Sequence, residues 1–140
     1  MCLSNSPICS LAFFEELKDP ETPTPVREWL ANAPSWLQVQ TPRSQPAPEL
    51  DYLDEGEREA IALAEELKAD QLLLDEIDAR KEAARRKLPF IGTLGILRKA
   101  AQLGLIDLPS TLARLQQTTF YVDPELIRSL LDEDAQRRNR

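Results

Sequence analysis

The chain has 140 residues, 42% hydrophobic and 29% charged, a balance that fits one ordinary globular core and disfavours both a disordered and a membrane-embedded chain. A net charge of −7 excludes a surface that is basic throughout and grips nucleic acid over its whole extent, but a local basic face remains open. The complete lack of histidine removes Ser/His and Cys/His nucleophiles and His-containing metal sites in one step.

Residues 1–10, MCLSNSPICS, show no clear period and are left as an unassigned leader. They contain neither a basic n-region nor a long apolar run, and no apolar run elsewhere reaches membrane-spanning length, so the expectation is a cytoplasmic protein without a membrane partner. Cys2 and Cys9 have no CxxC or metal-type spacing and read as two free thiols. Leu11, Phe14 and Leu17 recur at helical spacing and predict a short helix ending before Pro20. Thr24-Pro25 starts a second short helix to about Asn32, and SWLQVQ alternates as a half-buried strand. The three prolines of TPRSQPAPE keep that run out of a sheet interior and make it a surface linker.

Asp54-Glu55-Gly56-Glu57 carries the Asp-x-x-Glu pattern of a capping box, and Ile61, Ala64 and Leu67, with Ala60 and Leu63 beside them, give the following helix one apolar stripe to about Lys68. Gln71 to Leu74 is an apolar run too short for a helix, the signature of a strand covered on both faces. Glu76 to Lys87 is a charged helix supported by i, i+4 pairs such as Glu76 with Arg80 and Glu82 with Arg86. PFIGT is a second short strand, and TLGILRKAAQLG a helix closed by Gly104. STLARLQQT is helical with Leu112 and Leu115 inward, and Phe120 to Val122 a last strand. Asp123-Pro124 starts a final helix, and the basic end, 135–140, is a frayed tail. Strands alternating with helices predict an α/β fold with a mostly parallel sheet flanked by helices, one domain over 11–134.

The Glu57–Lys68 helix would be about 18 Å long and the strand after it would run back roughly 13 Å, which places Glu57 and Asp75 at one carboxyl edge of the sheet. Carboxylates gathered there without histidine suit a hard divalent cation, Mg²⁺ or Mn²⁺, that activates water and neutralises charge on a phosphodiester. A structural reading stands beside this one: Glu57 is a capping residue favoured by the helix dipole, and Asp75 is an N-cap of the next helix. Arg80, Lys81, Arg85, Arg86 and Lys87 make a basic helix able to steer a phosphate backbone, or a solvated face paired to its own acids. Trp29 and Trp36 are either stacking platforms or, with a leucine beside each, core residues.

The run GEREAIALAEELKADQLLLDE resembles the second half of a PIN-like domain, in the toxin-like branch with a GExEAIALA motif and an apolar strand ending in aspartate. The resemblance extends from about Leu37 to the C-terminus and includes GTLGILRKAAQLGLI. It implies a metal-dependent ribonuclease with acids around one or two Mg²⁺ or Mn²⁺ ions. By position, Glu57 matches the acid that opens the motif helix and Asp75 the acid at the strand end; Asp78 supplements it, and FFEELKDPETPTPVREWL resembles the helix that would supply Glu16. RNA is the implied substrate, and an antitoxin-like protein or a second copy of the chain the implied protein partner.

The departure from that family is the leader. A PIN-like domain opens on a hydrophobic strand ending in aspartate, whereas MCLSNSPICS contains no aspartate and is too short for that strand and its helix. The expectation is therefore an N-terminally truncated PIN-like fold with an inner strand and one metal ligand missing. A non-catalytic remnant that binds a protein or nucleic acid through an exposed sheet edge is the alternative function.

Overall fold

Among the described residues, prolines, caps and glycines divide the chain into five strands and seven helices, together with a 3₁₀ turn at Pro48–Leu50. The computed structural model describes residues 2–3 and 6–140, with side chains from residue 6 onward. Two compact units are present, 1–92 and 93–140.

The first unit holds the sheet, in the order β3-β2-β1-β4-β5. β1 (Cys2–Leu3) and β2 (Ile8–Ser10) come from the leader, followed by α1 (Leu11–Glu16), α2 (Thr24–Ala31), β3 (Gln38–Gln40), α3 (Glu55–Leu67), β4 (Gln71–Leu73), α4 (Ile77–Arg85) and β5 (Phe90–Ile91). Parallel pairing joins β2 to β3, with Cys9 opposite Val39, and β4 to β5, with Leu72 opposite Phe90. β1 runs antiparallel to both neighbours, with Cys2 opposite Ile8 on one side and Leu72 on the other. The α/β class holds, with parallel pairing confined to the two outer pairs.

This corrects the expectation of a missing inner strand. The middle of the sheet is filled by β1, and the leader is long enough because its two strands have only two and three residues. Their shortness also explains why no hydrophobic period was visible there: alternation needs at least four positions to show.

α3 begins as predicted. The Asp54 carboxylate accepts from the Glu57 N–H at 2.8 Å, and the Glu57 carboxylate reaches back to the Asp54 N–H, so both halves of the capping box form. Ala60, Ile61, Leu63 and Ala64 bury one face of α3 against Leu50, Leu53, Leu72, Leu74, Ala79 and Ala83. Leu67, expected on this stripe, is exposed, because the helix ends there and Lys68 turns the chain through the left-handed region at φ 49°. The linker TPRSQPAPE is tied down at two points. The Glu66 carboxylate accepts from the N–H groups of Arg43 and Ser44, both at 3.1 Å, and Leu50 just beyond is buried in the core.

Trp29 and Trp36 are 44% and 53% exposed, so the expectation of core packing is corrected. α2 buries none of its residues, and the two indoles meet each other instead, centroids 6.5 Å apart and tilted by 56°.

The second unit is helical throughout its regular elements: α5 (Thr93–Gln102), α6 (Leu108–Leu115) and α7 (Pro124–Arg138). Ala101, Leu108, Leu112, Ile127 and Leu130 form its core. Gly104 closes α5 with φ 72°, and Asp123 caps α7 by accepting from the Glu125 N–H at 2.8 Å, both as the sequence predicts. Phe120 to Val122 is not a strand. No strand lies within this unit to pair with it, and Val122 packs against the helical core. The tail read as frayed is helical to Arg138, whose guanidinium pairs with Asp134 at 2.7 Å and Asp107 at 2.9 Å.

Candidate functional site

The end of β2 and both ends of α1 are docked on the N-terminal part of α3 by three hydrogen bonds. The buried Ser10 hydroxyl donates to the Gly56 carbonyl at 3.3 Å and caps α1 by accepting from the Phe13 N–H. The Ala12 N–H donates to the Glu59 carboxylate at 2.9 Å. The Gly56 N–H donates to Glu16 Oε1 at 3.2 Å, so the exposed end of α1 delivers a carboxylate to the positive end of α3. Gly56 leaves room for this arrangement. A Cβ there would stand 3.1 Å from Glu16 Oε1 and 3.2 Å from the Phe13 Cα. A Gly56→Val variant, which adds two further atoms, is expected to lose about 1–3 kcal/mol of stability by thermal unfolding, since backbone cannot yield as a flexible side chain does.

Glu16 and Glu57 are thereby brought together. The Glu57 carboxyl is raised above its ordinary range, first by burial and then by the charge of Asp54, with smaller contributions from Glu76 and Glu16. Glu16 is raised as well, by burial and by Asp54 and Glu55, against the lowering effect of its Gly56 hydrogen bond. Beyond β4, at the N-cap of α4, Glu76 is an acid whose charge acts on Glu57. Sequence reasoning placed Glu76 only in an ion pair; the available signal was that neighbouring residues of an extended chain point to opposite sides.

Asp75 has a different neighbour. Its Oδ1 lies 3.3 Å from Arg80 Nη2, while Arg80 Nε donates to the Leu74 carbonyl at 2.8 Å. The predicted Glu76–Arg80 pair is thus replaced by Asp75–Arg80, because the guanidinium folds back over the strand end. Asp75 is not the N-cap of α4 either; Glu76 occupies that position, without a side-chain cap. Asp78 is well exposed and pairs with Lys81 at 3.2 Å.

The basic helix face is largely committed to internal acids. Glu82, 5% exposed, accepts from Arg85 Nη2 at 2.5 Å, Arg86 Nε at 2.6 Å and the Tyr52 hydroxyl at 3.0 Å. Arg86 also pairs with Glu65 at 2.9 Å. The Arg85 hydrogen bonds outweigh burial and hold the Glu82 carboxyl down at about 2. Of the three arginines considered for nucleic acid, Arg85 keeps the most exposed side chain, at 62% against 38% for Arg80 and 15% for Arg86. Glu82 was read only as an i, i+4 partner; its burial depends on Tyr52 and Arg86 closing over it.

Carboxylates and backbone oxygens make a donor set suited to Mg²⁺ or Mn²⁺. Among the described residues no three His, Cys, Asp or Glu side chains form a ready-made metal cluster. Mg²⁺ characteristically takes one or two carboxylates and completes its shell with water and substrate phosphate, so Glu16 and Glu57 fit the ion by chemistry and by number. No helix among the described residues is long and apolar enough to cross a membrane.

No match was found among curated proteins or among solved structures. A family model for the PIN domain matches residues 3–136, which takes in β2, the capped helix, β4 and most of the helical second unit. The chain therefore belongs to the PIN-domain family, whose membership suggests nuclease-type function.

Proposed function

We propose that this protein is a metal-dependent ribonuclease that hydrolyses phosphodiester bonds in cytoplasmic RNA at the acidic edge around the start of α3. The observation that carries the reading is the convergence of Glu16 and Glu57, from separate helices, with Glu76 of the strand end acting on the same carboxylate. Burial and the neighbouring like charges raise the Glu57 carboxyl above its ordinary range, and a cation placed beside it relieves the repulsion. Glu16 and Glu57 would hold the ion, joined by Asp75 from the strand end, with Asp78 as a further, solvent-exposed acid.

A bound Mg²⁺ or Mn²⁺ lowers the pKa of its water and neutralises charge developing on the phosphodiester. The protein's part is to fix the acids. The capping box holds Glu57 at the first turn of α3, and the Gly56 N–H orients Glu16. The Arg80 guanidinium holds Asp75 at the end of β4. Mn²⁺ is expected to raise the melting temperature of the wild-type protein and not that of Glu57→Gln. An equal response in the two proteins would overturn the reading.

A second reading is supported by the sheet edge. β3 is an outer strand whose Val39 is exposed, in a unit that also exposes Trp29 and Trp36. An open strand edge is able to pair with another chain, which fits an antitoxin-like protein or a second copy. This reading expects an oligomer by light scattering and no melting response to Mn²⁺; a monomer would count against self-pairing.

A further inference from the structure

The seat of Arg80 has no role in the reading above beyond holding Asp75, yet it is unusually well built. Nε is anchored on the Leu74 carbonyl at 2.8 Å, and Nη2 faces Asp75 Oδ1 at 3.3 Å. On the far side stands Gly92, the residue after β5. A Cβ on Gly92 would run into Arg80 Nη2 and come within 3.0 Å of both Arg80 Cζ and Asp75 Oδ1. Gly92 has no positive φ that would call for glycine. The missing side chain serves the guanidinium.

We propose that Arg80 is a resident counter-ion for Asp75 that a divalent cation must displace, and that Gly92 is the notch that seats it. The inference rests on the reading that Asp75 takes part in cation binding. A guanidinium and a divalent cation compete for the same carboxylate lone pairs, and each repels the other at such range. The exposure of the pair suits exchange. The Arg80 and Asp75 side chains are 38% and 33% exposed, so water reaches both, and the guanidinium is able to leave without stranding a buried charge. Arg86, only 15% exposed and tied to Glu82 and Glu65, has no such freedom. Arg80 is thus a positioning residue in the resting protein and a brake on cation entry.

Mn²⁺ binding to the full chain, followed by the electron paramagnetic resonance signal of the free ion, tests the proposal without reference to activity. Arg80→Met should tighten binding by about five-fold, the equivalent of one half-exposed ion pair. Gly92→Ala keeps every charge and should give a gain in the same direction by expelling the guanidinium. Adding Asp75→Asn to either variant should cancel the gain. Unchanged or weaker Mn²⁺ binding in both single variants overturns the proposal, and a gain that survives Asp75→Asn does the same, since the gain would then not come from freeing Asp75. If the wild-type protein binds Mn²⁺ and Glu57→Gln does not, such a failure leaves the cation site standing. Absence of Mn²⁺ binding in the wild-type protein and in both single variants removes the site and the counter-ion together. Circular dichroism reports whether Arg80→Met folds; should it not, Gly92→Ala decides alone.

Discussion

Replacing Glu82 by glutamine is expected to destabilise the protein by about 3 kcal/mol at neutral pH, a fall of about 10 °C in melting temperature. The size follows from the surroundings of this carboxylate. It is almost fully buried, and its pKa of about 2 means that the folded protein prefers the ionised form strongly. Glutamine keeps the shape and loses the charge, which leaves Arg86 with Glu65 as its remaining close partner and puts an amide against Arg85. The same argument sets a pH dependence. The carboxyl is lowered from 4.5 in the unfolded chain to about 2 in the folded one, so its contribution is complete above about pH 4.5 and is lost as pH falls towards 2. The stability gap between wild type and Glu82→Gln, measured by urea unfolding, should therefore be full at pH 7 and clearly smaller at pH 3. A constant gap would mean that the loss is one of packing.

Under the proposed function, Glu57→Gln is expected to reduce Mn²⁺-dependent cleavage of RNA by about 100-fold or more, the scale on which single preorganised electrostatic groups act in catalysis. The substitution is informative because glutamine serves the capping box as well as glutamate does. Stability should change little, while the charge offered to the cation is removed. The purely structural account of Glu57 predicts the opposite: a folded variant with unchanged cleavage. Glu57 is thus the position at which the capping role and the metal role can be measured apart.

The family and the α/β class were legible because the motif helix and the strand after it lie within one continuous stretch. The capping box, the Asp123-Pro124 start and the Gly104 stop were legible for a related reason: each is settled by residues within four positions of one another. Sequence reading failed where a residue's partner was distant or where an element was too short to carry a period. β1 and β2 were invisible in MCLSNSPICS because strands of two and three residues show no alternation, and Phe120–Val122 looked like a strand because its missing partner cannot be seen locally. Trp29 and Trp36 were misplaced because hydrophobicity alone does not say whether a face of α2, or the turn before β3, has a neighbour to pack against.

The sequence by itself determined the helix boundaries of the motif region, the capping role of Glu57 and the absence of histidine chemistry. All of these depend on residue type and short-range spacing. Tertiary structure alone decided that Glu16 joins Glu57 through the Gly56 N–H, that Glu76 acts on the same carboxylate, that Arg80 occupies Asp75 in the space left by Gly92, and that Glu82 is buried beneath its arginines. The physical reason is common to all four: a carboxylate's role is set by the charges, donors and solvent around it, and packing brings those from elsewhere in the chain.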